Sequence, residues 1–260
     1  MKKTLAKILA IALCAVLLVS GTIYITLAYL QDQTNVVQNT FTVSDISLTL
    51  NETDVTELGK PIEDAPPVEA NDYKLIPGTT YVKDPTVHVG EASEDCLIVI
   101  AIYDTFFSAL GNMEEAYDTG EKDDEGNAIK RTVYQQIEAN GWVELEGYTI
   151  ADTSKEPMKN WFNADETPAY KLFYLNRVAK AKDDIKVFDG FKLSETIDNN
   201  ELTALGNRVF QIVAFGMQAT GYQGVADDAA VTDKIGVAFA ATFGEKVTTN
   251  TQGGEPNINN

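Results

Sequence analysis

The chain has 260 residues, with 39 Asp or Glu against 20 Lys or Arg, one His and two Cys, giving a formal net charge of −19. Nucleic acid is set aside as a partner, because a phosphate backbone needs a basic footprint. One histidine and two cysteines leave too few ligands and bases for the common zinc and hydrolase constellations, whereas an apolar fraction of 44% suffices for one large core or two small ones.

The first 28 residues hold Lys2, Lys3 and Lys7 and no acid, so the remainder carries −22. Apolar residues run from Ile8 to Val19, Ser20-Gly21-Thr22 interrupt them, and Ile23 to Ala28 follow. Basic, apolar and small residues in that order predict a signal peptide over 1–28, a hydrophobic helix cut between Ala28 and Tyr29 with Thr26 at the small-residue site. The other reading is an uncleaved anchor over Ile8 to Leu30, the only membrane attachment foreseen. Cys14 sits inside the apolar run as a small apolar residue, which leaves Cys96 alone in the exported part and excludes an internal disulfide there.

Residues 29–40 hold Leu30, Val36 and Val37 among polar neighbours and read either as a free strand-forming segment or as a flexible leader. A sandwich domain is expected over 41–247. Phe41 and Val43 share one face, the phase slips near Asp45, and Ile46, Leu48 and Leu50 share the next. Asn51 to Ala70 is acidic and Pro-bearing without periodicity, so it reads as a surface loop. Pro77-Gly78 predicts a turn, and Tyr81 to Val89 a strand that Pro85 assigns to a sheet edge or bulge. Cys96 begins a run, Leu97 to Tyr103, that is apolar on both faces and reads as a covered central strand. Helices are expected over Thr105 to Tyr117 and Thr132 to Ala139, the second stopped by Asn140-Gly141. Further strands are expected over Trp142 to Tyr148, Tyr170 to Leu175, Ile185 to Leu193 and Arg208 to Thr220. Ala226 to Phe243 fits either type, and 248–260 reads as a disordered tail. Many strands with long polar connections predict an all-β, antiparallel sandwich with helical insertions.

His88 alternates with apolar neighbours and reads as a solvent-facing strand residue, and no second histidine lies one helical turn away to complete a zinc pair. Glu121, Asp123 and Glu125 match the first ligand positions of a calcium loop when Gly126 is set at its glycine, but the twelfth position is Thr132 where a bidentate glutamate belongs. They are the candidate metal ligands, weighed against a solvated loop; no cofactor is called for, and a divalent cation stays open. Trp142 and Trp161 read as core residues, since the aromatic spacing forms no ordered stacking platform.

Three segments together resemble a known family. They are Leu27-Ala28-Tyr29-Leu30-Gln31-Asp32, the strand from Asn39-Thr40-Phe41-Thr42-Val43 to Leu50, and the block from Tyr73-Lys74-Leu75-Ile76-Pro77-Gly78 to Pro85-Thr86-Val87. They are similar to the TasA and camelysin family of Gram-positive bacteria, exported through a SipW-type signal peptidase; Ala214-Phe215-Gly216-Met217-Gln218-Ala219-Thr220-Gly221-Tyr222 adds to the likeness. It is good over residues 20 to 103 and thin over 104 to 207. The resemblance implies a jelly-roll sandwich and a secreted fibre subunit of the biofilm matrix that self-associates. Its camelysin branch implies a cell-surface metallo-endopeptidase instead, and a monomeric adhesin is the third reading. The single histidine favours the fibre. Strand addition by residues 29–40 to a neighbour's sheet edge would give head-to-tail growth.

Overall fold

The computed structural model describes residues 45–150, 169–206 and 208–243. All belong to the larger of two compact units, Ser44–Asn260, the smaller being Met1–Val43. The expected signal helix, the cleavage residues Thr26, Ala28 and Tyr29, the donor residues Leu30, Val36 and Val37, the strand start Phe41 to Val43, Trp161 and the tail 248–260 lie outside the described residues.

The fold is all-β, mostly antiparallel strands with few helices. At its centre is β4 (Cys96–Asp104), flanked by β12 (Phe210–Gln218) and β9 (Tyr170–Leu175), with β8 (Trp142–Glu144) beyond β9. Side chains alternate along a strand, so Ile98, Ile100 and Ile102 enter one cluster while Leu97, Val99 and Ala101 enter another, all of them buried. This explains the unbroken apolar run: both faces are covered.

One face is covered by a second β layer. It contains β1 (Leu48–Asn51), β3 (Thr86–Val89) and β10 (Asp184–Lys186) in the order β1-β3-β10, and β2 (Thr80–Val82), β11 (Gly190–Leu193) and β5 (Glu114–Glu115) in the order β2-β11-β5. Tyr81 stacks on its cross-strand partner Phe191, centroids 4.8 Å apart, amid Phe106, Phe107 and Tyr73. The opposite face is covered by a helix, Val231–Phe243, which buries Ile235, Ala238 and Phe239 against Val99, Leu172 and Tyr174. The stretch that fitted either type is therefore helical from Val231, where apolar residues recur every third or fourth position.

Several expected elements are shorter or split. Between Thr105 and Tyr117 there is one helical turn, α1 (Phe107–Leu110), whose first N–H groups are capped by Asp104, accepting from Phe106 and Phe107 at 2.9 and 2.7 Å. Gly111, at φ 49°, ends it, and after a 3-10 turn the chain extends into β5 to pair with Lys192 and Leu193. Tyr81 to Val89 is two strands, because Pro85 has no N–H to give a ladder; its carbonyl still accepts from Val187 N at 2.8 Å. Ile185 to Leu193 splits at the same level, so β2–β3 and β10–β11 run beside each other as one bent ribbon. Trp142 to Tyr148 is strand only as far as Glu144, with Gly147 at φ 77°. Asn51 to Ala70 is more organised than a surface loop: Glu52 bridges Val68, Val55 bridges Pro61, and Glu52 is buried. Helix α2 (Val133–Ala139) is as expected, with a Thr132/Gln135 capping box and Gly141 at φ 86°. β6 (Tyr117–Lys122) and β7 (Ala128–Arg131) form a separate hairpin, and α3 (Asn199–Leu205) and α4 (Val231–Phe243) complete the chain order.

Candidate functional site

The strands β1 and β12 belong to different layers but pass close to one another. Ile46 and Leu48 lie over Gly216, where a Cβ would stand 2.5 and 3.1 Å from their methyl carbons. No ladder joins the two strands among the described residues; β12 is paired along β4, and β1 along β3. Between them runs a cleft with Leu48, Leu50, Ile212 and Ala214 along its apolar part. Ile46, Leu48 and Leu50, expected to share a face, all pack on the core; the phase slip expected before them is set by Phe41 and Val43, which lie outside the described residues.

The cleft continues past Leu50 to a polar end formed by Glu52, Asn71 and Lys83. The Glu52 carboxylate accepts from Lys83 Nζ at 2.7 Å on one oxygen and from Asn71 Nδ2 at 2.9 Å on the other. The Glu52 and Lys83 side chains are 4% and 14% exposed, so the ion pair is largely removed from water. Asn71 is held from both ends of its carboxamide: Oδ1 accepts from Val55 N at 3.0 Å, and Nδ2 also donates to Thr53 O at 2.8 Å. Lys83 Nζ lies 5.6 Å from the centroid of the Tyr73 ring, and Tyr73 donates to Val82 O at 3.1 Å. Burial, then the charges of Glu52 and Asp84, pushes the Tyr73 hydroxyl far above the ordinary phenol range. Asp84 accepts from Thr53 N and Oγ1, both at 2.8 Å, pinning the start of the irregular hairpin to the ribbon.

The residues singled out in the sequence lie elsewhere. Glu121 pairs with Arg131 across the β6–β7 hairpin. Asp123 builds the turn, accepting from Glu125 N, Asn127 N and Asn127 Nδ2 at 3.0, 2.8 and 3.0 Å, and the Asn127 side chain leads in holding its carboxyl below the usual range. Glu125 is exposed in that turn. The structure does not gather them round a common point, and among the described residues no group of three or more His, Cys, Asp or Glu is placed to hold a metal. His88 stands on the outer side of β3, its Nδ1 2.6 Å from Asp184 Oδ1 and its Nε2 2.8 Å from Asn51 Oδ1. Cys96 and Trp142 are core residues, Trp142 donating from Nε1 to Lys186 O at 3.0 Å. The triad of Glu52, Asn71 and Lys83 had no local signature, since the carboxylate lies in a stretch read as loop and the other two are brought to it only by tertiary folding.

No family model matches the chain, and no curated protein or solved structure matches it. No helix among the described residues is long and apolar enough to cross a membrane.

Proposed function

We propose that this chain is an exported structural subunit of extracellular matrix fibres, with a jelly-roll type of sandwich, in which residues 29–40 of one copy add as a strand to the next. The observation that supports it is the juxtaposition of β1 and β12, two strands in contact at Gly216 with an apolar cleft between them and no ladder joining them among the described residues. An added strand carrying Leu30, Val36 and Val37 satisfies backbone groups along one side and fills such a cleft with alternate side chains. Removal of residues 1–28 by a SipW-type signal peptidase frees the segment, which delays assembly until export. A subunit at −22 repels its copies, so fibre growth requires screening by salt, bridging by divalent cations or acidification.

The test is electron microscopy of protein starting at Tyr29 beside protein starting at Asn39. Fibres from the first and single particles from the second are expected; equal fibres from both overturn strand donation. Fibre yield indifferent to salt, divalent cations and pH overturns the electrostatic part.

A further inference from the structure

The polar end of the cleft holds an amine, a carboxamide and a carboxylate bonded to both. We infer that Lys83 and Asn71 become joined by an intramolecular isopeptide bond, with Glu52 carrying the protons. This inference does not depend on fibre assembly.

Nucleophile and acceptor are already ordered. Lys83 Nζ sits on Glu52 Oε2 at 2.7 Å and Asn71 Nδ2 on Glu52 Oε1 at 2.9 Å, so the two nitrogens face the two oxygens of one carboxylate. The orientation of the Asn71 carboxamide follows from its neighbours, since Oδ1 meets a donor, Val55 N, and Nδ2 meets two acceptors, Glu52 and Thr53 O. A plain ion pair needs only the lysine and the glutamate.

The step balances without an oxidant or cofactor. Lys83 Nζ, starting as an ammonium, passes a proton to Glu52 and attacks Asn71 Cγ, forming the new C–N bond and placing negative charge on Oδ1. The Val55 N–H, 3.0 Å from Oδ1, faces that charge as it develops. Glu52 relays a proton to Nδ2, the Cγ–Nδ2 bond breaks, and a second proton moves from Nζ by the same route. The products are a secondary amide, an ammonium ion and Glu52 again as carboxylate. The fold supplies proximity, and the low exposure of the Lys83 and Glu52 side chains, 14% and 4%, limits the competition of water for the proton transfers between them.

The bond ties the irregular segment containing Asn71 to the ribbon just before Pro85. It gives a domain whose only described cysteine is a free, buried Cys96 a covalent staple of another kind.

Intact-mass spectrometry of the purified chain, with tryptic mapping, tests this. A mass short of the sequence mass by one ammonia is expected, with a branched species joining Asn71 to Lys83 and no tryptic cleavage after Lys83. Lys83→Arg and Glu52→Gln should each restore the full mass, and Lys83→Arg should also lower the thermal midpoint. A wild-type chain of full sequence mass overturns the inference. So does ammonia loss without a branched species, the mark of a succinimide at Asn71-Asp72, or loss that persists in Lys83→Arg. A cross-link surviving in Glu52→Gln overturns the role given to the carboxylate. Should either variant fail to fold, the wild-type map alone decides.

Discussion

Ile46 crosses directly over Gly216, so close that a Cβ at that glycine would stand 2.5 Å from Ile46 Cγ2. This contact sets the approach of β1 to β12. Gly216→Ala is expected to force the strands apart and to destabilise the domain by about 1–3 kcal/mol, the usual cost of overpacking. Urea unfolding measures it; an unchanged midpoint would show that β1 shifts freely.

Glu114 is half-buried and its carboxylate accepts from Val133 N at 2.7 Å. Burial raises its affinity for the proton above the ordinary value of 4.5; the Val133 bond opposes the rise, and the charge of Asp104 adds to it. The folded state therefore holds the proton more tightly than the unfolded state, and stability falls as pH climbs from about 4.5 through the raised folded value. Glu114→Gln keeps an acceptor for Val133 and removes the titration. Stability curves between about pH 4 and pH 7 should be flatter in the variant; parallel curves would exclude Glu114 as the source.

Lys234 is 3% exposed and donates to Ala219 O and Asp227 O at 3.1 and 3.0 Å, closing the loop between β12 and α4. Lys234→Met relieves the burial of an ammonium but leaves the carbonyl of the buried Ala219 without its donor, at about 1–3 kcal/mol, and removes the tie to the exposed Asp227. The loss of both ties is expected to loosen this loop. Hydrogen exchange should quicken at residues 219–229, and unchanged protection there would remove the lysine from its anchoring role.

Burial, then the nearby Asp95 and Asp183, pushes the Cys96 thiol up to about 11. In protein starting at Tyr29, where no other cysteine remains, a thiol reagent at neutral pH should modify Cys96 only at the rate of unfolding. Modification that runs ahead of unfolding measured by tryptophan fluorescence would reveal a local opening of β4.

Much of the fold was legible because it rests on short-range patterns. The two-faced apolar run from Leu97 to Tyr103, the alternation at Val87 and Val89 and the stop at Asn140-Gly141 each have a period or a residue type that only one conformation satisfies. The helix expected over Thr105 to Tyr117 failed because Gly111 takes a positive φ and Glu114–Glu115 find partners on β11, a tertiary pairing with no local trace. Pro85 was read as assigning one strand, Tyr81 to Val89, to a sheet edge or a bulge; instead it lies at the break between two strands, and β3 after it is the middle strand of its sheet, because the change of neighbours depends on Val187 and Asp189 a hundred residues downstream. The Glu52, Asn71 and Lys83 cluster was hidden for the same reason: no periodicity marks a contact made by a doubled-back loop.

The four-stranded sheet is sealed on one face by a β layer and on the other by α4, which leaves the plane of the sheet as the direction in which it can be extended. Among the described residues its two margins differ greatly, nine residues of β12 against three of β8. Such a sheet is a vector: one margin is long enough to register a partner strand unambiguously and the other is not. A filament built on it would have distinguishable ends, and its growth at the two ends would proceed at different rates.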